Sequence, residues 1–186
     1  MILTVTLNTS IDKAYRISST LERGTVMRVA ECIDNAGGKG LNASRSVATC
    51  GEEVLATGFV GGNNGRLLCE LLDRDKIPHD FVKVATETRC CVNVLEPDGL
   101  STEFLEPGRE VTPEELAALE ERLVSLVSRA DVVTMSGSFP KGLPADTYVR
   151  LIKLVRSQGK PCILDTSGAT LKASIDALPT MVKPNT

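Results

Sequence analysis

Gly37, Gly38 and Gly40 fall within four residues of the stretch Asp34-Asn35-Ala36-Gly37-Gly38-Lys39-Gly40-Leu41-Asn42-Ala43-Ser44. Such a backbone reaches positive φ and approaches a ligand with no Cβ in the way. The residues that follow, Asn42 to Cys50, predict a helix that stops at Gly51. A glycine turn that opens a helix offers unpaired N–H groups and the positive end of a dipole, a setting for an anion. Lys39 adds a mobile cation to that turn, and Asn42 an amide that donates and accepts. The same letters also describe a plain tight turn with a solvated lysine.

Other polar groups follow predicted strands: Asp12, Ser136 to Ser138, Asp165 to Gly168, then Lys183 and Asn185. Asp12 is a carboxylate acceptor suited to sugar hydroxyls, or a turn residue capping its own loop. Arg28 and Arg89 carry forks that match phosphate oxygens, or else sit solvated on a flap. Ser136 and Ser138 offer N–H and O–H donors around Gly137, or form an ordinary turn. Familiar nucleotide and hydrolase motifs are missing. Gly61-Gly62-Asn63-Asn64-Gly65-Arg66 lacks the G-K-[ST] ending of a P-loop, and Gly37 to Gly40 lacks dinucleotide spacing. Gly137-Ser138-Phe139-Pro140-Lys141 lacks the closing glycine of a nucleophile elbow.

The elements that must position these groups alternate. Ile2 to Leu7 is a first strand, ending in the polar run Asn8 to Asp12. Ala14–Ile17 and Val26–Cys32 are short, mixed strands of a flap. A strand over Glu52–Phe59 is followed by a helix over Arg66–Asp75. Phe81 to Val84 is another short strand, and Arg89–Leu95 with Ser101–Leu105 flank the turn Glu96-Pro97-Asp98-Gly99 as a hairpin. Thr112-Pro113-Glu114-Glu115 starts a helix with a capping box. Strands at 131–135, 161–164 and 181–182 then alternate with helices over 146–158 and around Leu171 to Ile175. That alternation predicts an α/β fold with a mostly parallel, doubly wound sheet, whose strand ends converge on one cleft. No linker divides the chain, so residues 1–186 are expected to form one domain.

A net charge of −3 and 3% aromatic residues without Trp argue against nucleic-acid binding. No apolar run approaches the ~20 residues that cross a bilayer, and the start, without a cationic leader or a small-residue cleavage site, is not expected to be a signal peptide. One histidine, His79, leaves little for a zinc site or a Ser-His-Asp triad. Six scattered cysteines without a C-x-x-C pair are expected to be buried thiols in a cytoplasmic protein. The last strand runs straight into Lys183-Pro184-Asn185-Thr186, which reads as a natural terminus or as a break within a longer protein.

Together these pieces resemble the ribokinase-like (PfkB-type) sugar kinases. Gly37-Gly38-Lys39-Gly40-Leu41-Asn42 is similar to their first signature. Thr6-Leu7-Asn8-Thr9-Ser10-Ile11-Asp12 resembles the opening of the 1-phosphofructokinase and tagatose-6-phosphate kinase branch, with Thr9 where a proline is usual, a change expected to loosen the turn. Ser136 to Pro140, Asp165 to Gly168 and Lys183-Pro184-Asn185 follow in the family's order. The resemblance implies a three-layer ribokinase-like sandwich, lacking its C-terminal part, with lid segments about 13–33 and 87–106 inserted. It implies transfer of phosphate from ATP, with Mg²⁺, to a sugar phosphate: fructose 1-phosphate to fructose 1,6-bisphosphate, or the tagatose 6-phosphate reaction, with a non-catalytic sugar-phosphate binder as the further alternative. Asp12 would hold sugar hydroxyls, and Gly37, Gly38, Lys39 and Asn42 would wrap the sugar and its phosphate. Arg28, Arg89 and Ser138 would clamp that phosphate. Lys183 and Asn185 would begin the nucleotide and Mg²⁺ region, and the lids of two chains would pair as a homodimer. The family's catalytic Gly-x-Gly-Asp motif does not occur in these 186 residues, so the catalytic aspartate is expected beyond Thr186.

Overall fold

The computed structural model describes residues 1–184, so Asn185, expected to begin the nucleotide region, lies outside the described residues. Among the described residues ten strands form two sheets, with five α-helices around them. The larger sheet has the order β10-β9-β8-β1-β4-β5 and every neighbouring pair is parallel. Its strands are β1 (Ile2–Thr6), β4 (Val54–Gly61), β5 (Val82–Val84), β8 (Val132–Ser136), β9 (Cys162–Asp165) and β10 (Met181–Val182). Parallel strands need crossovers, and helices supply them on both faces. On one face, Leu3, Val5 and Leu7 of the β1 segment pack with Val133, Met135 and Leu164. Against them lie α3 (Pro113–Val127) through Leu116, Leu119 and Leu123, and α4 (Thr147–Ser157) through Tyr148, Leu151 and Ile152. On the other face, Val54, Ala56 and Val60 of β4 pack with Leu41 of α1 (Lys39–Thr49) and with Leu68, Leu71 and Leu72 of α2 (Gly62–Arg74).

The smaller sheet is the lid, with the order β3-β2-β6-β7: β2 (Ser10–Arg16), β3 (Glu31–Gly37), β6 (Arg89–Leu95) and β7 (Ser101–Leu105). Residues alternate between its faces. Ile11 and Ala36, opposite each other, are fully buried in the core that α2 caps. Ser10, Asp12 and Ala14 therefore face the other way, toward the cleft.

Most elements match the sequence reading, and the exceptions have local causes. The strand expected over Val26–Cys32 instead runs from Glu31 to Gly37, because it is selected by pairing with β2 from Ser10↔Gly37 to Arg16↔Glu31. Asp12 stands inside β2 and not in a loop after β1. Gly62, Asn63 and Asn64 belong to α2, whose N-terminus is served by the Glu87 carboxylate accepting from the Asn64 N–H at 2.5 Å. Thr9 does not loosen its turn: its buried hydroxyl donates to the Phe59 carbonyl at 2.6 Å and pins the β1–β2 link to β4. The α3 capping box forms as expected, with Glu115 N–H to Thr112 Oγ1 at 3.2 Å and Thr112 N–H to Glu115 Oε2 at 2.8 Å. The cysteines are all free, but Cys32 and Cys50 are exposed, against the expectation that all are buried. Among the described residues no helix is long and apolar enough to cross a membrane.

Candidate functional site

Between the lid and the ends of the parallel strands lies a cleft of about 710 Å³, lined by Asp12, Asn35, Gly38, Lys39, Asn42 and Arg89 among others. A second lobe of about 350 Å³ continues past Lys39 and Arg89, which line both, to Asn8, Ser136, Gly137, Ser138 and Thr166. Most of the residues expected to bind substrate are thus brought together. Two line neither lobe: Gly37, which lies against the Asp12 carboxyl, and Arg28, which is exposed on the lid segment between β2 and β3.

The glycines act by making room. A Cβ on Gly37 would overlap the Asp12 carboxyl, so this strand residue leaves space for the acid beside it. Gly38 has φ 107° and is the N-cap of α1, with no side chain closing the helix end. A Cβ on Gly40 would strike Thr6 Oγ1, so α1 can start only by lying directly on β1. Lys39 is consequently the first residue of the helix and not part of a turn. The Asp12 carboxylate accepts from Ser10 Oγ at 2.6 Å, which fixes its rotamer toward the cleft.

In the second lobe Arg89 is anchored by two carbonyls, Glu106 O at 2.9 Å and Asn8 O at 3.2 Å. Both acceptors are neutral, so they orient the guanidinium without cancelling its charge. Its Nε is buried and has no hydrogen-bond partner. Asn8 Nδ2 donates to Ser138 Oγ at 3.1 Å, tying the link after β1 to the turn after β8. A fork, a hydroxyl and an ammonium around one space suit a phosphate.

Asp165, at the end of β9, accepts from Lys39 Nζ at 2.5 Å and lies 3.5 Å from Lys183 Nζ. The carboxylate is only 17% exposed, whereas Lys183 is 59% exposed, so Asp165 is the fixed centre of this group. Lys183 lines neither lobe and, among the described residues, meets the site only through Asp165. Of the two residues assigned to ATP and Mg²⁺ only Lys183 is described. Among the described residues no group of three or more His, Cys, Asp or Glu is placed to hold a metal ion. Lys183 alone does not make up an ATP or Mg²⁺ site.

Three participants had no signal beyond ordinary helix or strand composition. Arg45 donates to Asn42 Oδ1 at 2.8 Å, also contacts the Ala36 carbonyl, and so ties the head of α1 to the lid. Asn35 and Asn93 line the main lobe from the lid. Arg45 is three residues past Asn42, the spacing at which helical side chains meet, which is the one clue the sequence held.

A parallel α/β sheet with a four-stranded lid over a cleft lined by Asp12, Lys39 and Arg89 defines a sugar-kinase class of fold. The pfkB family carbohydrate kinases match residues 5–186, and the chain belongs to that family. Among solved structures it is similar to a possible 1-phosphofructokinase from Thermotoga maritima, at 30% identity and TM-score 0.93, over 100% of this chain and 60% of that one. The tetrameric inhibited form of phosphofructokinase-2 from Escherichia coli aligns at 31% identity and TM-score 0.92, over 99% and 60%. The same enzyme in complex with fructose-6-phosphate aligns at 30% identity and TM-score 0.89, over 95% and 58%. The chain thus spans about 60% of the length of these relatives.

Proposed function

We propose that these residues form the acceptor side of a kinase that moves a phosphoryl group from ATP, with Mg²⁺, to a hydroxyl of a sugar phosphate. The reading is carried by one observation: Asp12, a hydroxyl acceptor, and Arg89 with its unpartnered buried Nε, an anion donor, line one cleft. Fructose 1-phosphate giving fructose 1,6-bisphosphate is the preferred reaction, on the likeness of the Thr6 to Asp12 stretch to the 1-phosphofructokinase branch; tagatose 6-phosphate is the alternative acceptor. Asp12 orients the sugar hydroxyls. Gly37 and Gly38 keep the wall thin, and Lys39 and Asn42 face the sugar from the start of α1. Arg89 and Ser138 hold the phosphate already present. Positioning and charge stabilisation carry most of the rate in phosphoryl transfer, and no Gly-x-Gly-Asp is present here to supply the base and the anion hole. The 186 residues alone then bind the acceptor without turning it over.

Calorimetry with fructose 1-phosphate, tagatose 6-phosphate and fructose tests the reading. Binding of a phosphosugar and none of the neutral ketose supports it; no heat with either phosphosugar sinks it. Residues 1–186 are taken as one domain carrying a lid that lies in the cytoplasm and pairs with a second lid. Val26, Leu100, Phe104 and Leu105 are exposed on that lid and support the homodimer. Arg28 lies on the same segment as Val26, so its assigned role in clamping phosphate depends on that pairing or on closure of the lid.

A further inference from the structure

On the cleft face of the lid the strand register sets side chains in rows. One row holds Asn35, Asp12 and Cys91; the next holds Ala14, Asn93 and Glu103. Asn93 lines the main lobe, yet its Oδ1 is buried with no hydrogen-bond partner. Its row neighbours cannot supply a donor, because Ala14 ends at Cβ and the Glu103 carboxylate only accepts. A buried polar atom left unpaired is costly, and the residue that carries it borders the cleft.

We propose that Asn93 is a specificity-determining residue, which accepts a hydrogen bond from a sugar hydroxyl one row beyond the reach of Asp12. This rests on the sugar-phosphate reading of the same cleft. Ala14 leaves the room into which that part of the sugar fits. The residue reads the polyhydroxy part of the ligand and has no part in holding its phosphate, which lies in the other lobe with Arg89 and Ser138. A site built to bond a hydroxyl discriminates against a ligand that lacks it, because the buried group is then left unpaired.

The test is calorimetric titration of the wild-type chain, Asn93→Leu and Asn93→Ser with fructose 1-phosphate and, separately, with inorganic phosphate. Both variants are expected to bind fructose 1-phosphate about tenfold more weakly, the scale of one hydrogen bond, with phosphate affinity unchanged. Retained phosphate binding also reports that the variant is folded, and Asn93→Ser keeps a polar group should Asn93→Leu fail to fold. Unaltered fructose 1-phosphate affinity in either variant overturns the inference, as does an equal loss for both ligands. If the wild-type chain binds phosphate but no phosphosugar, the functional reading fails first and the inference falls with it.

Discussion

At the scale of single residues, the site depends on what is left out as much as on what is present. Gly37→Ala places a methyl where the Asp12 carboxyl sits. Because the obstructed group is the end of a side chain, the acid swings aside and the fold survives. The expected outcome is at least tenfold weaker phosphosugar binding with a shift of only a few degrees in Tm, read by calorimetry and thermal melting. A second expectation concerns Cys162, whose thiol is pushed up to about 12 by burial, from an ordinary value of 9.0. Its folded-state pKa is raised, so the native state keeps a proton that the unfolded chain loses. The stability it contributes is complete below pH 9 and is lost as pH rises from 9 toward 12. Buried Tyr148 shifts in the same direction for the same reason. Urea midpoints should therefore fall steadily above pH 9, and Cys162→Ala should flatten the part of that slope due to the thiol.

Among the elements, those written in local chemistry were legible. Glu96-Pro97-Asp98-Gly99 turns a hairpin without help from elsewhere, and Thr112 to Glu115 encode a cap within four residues. Thr112→Ala should cost about 1 kcal/mol in chemical denaturation, with binding in the distant cleft unaltered. What could not be read locally was β3, whose polar letters Glu-Cys-Ile-Asp-Asn-Ala-Gly become a strand because β2 accepts them along seven residues. Asp12, expected in a loop, stands in a strand for the same reason, since a strand's partner is invisible in its own letters. Arg45 and Asn93 went unseen as site residues because an arginine on a helix or an asparagine on a strand is usually solvated. Gly58, in β4, combines φ 144° with close contact to the Thr6 carbonyl. Gly58→Ala presses a methyl on backbone that cannot yield, so a loss of about 1–3 kcal/mol or more is expected on melting.

On the proposed reading, the 186 residues hold the sugar phosphate and do not phosphorylate it by themselves. A coupled assay of ADP release on the 186-residue chain should show no turnover while calorimetry shows binding; turnover at a family-like rate would refute the division. Ile175, Leu178 and Met181 are exposed beside the β9–β10 edge, and Phe104 and Leu105 on the lid. Apolar patches of this kind promote association, so sedimentation should show a weight-average mass that grows with concentration. The parallel pairing of β2 with β6 joins Ser10 to Arg89 and Arg16 to Leu95, with β3, α1, β4, α2 and β5 in between. Read in time instead of space, that pairing closes a long loop and must wait until β1 and β4 have met, for loop closure is entropically paid before distant contacts reward it. In pulse-labelling hydrogen exchange the amides of β2 and β6 should gain protection after those of β1, so the surface that chooses the ligand is the last to exist.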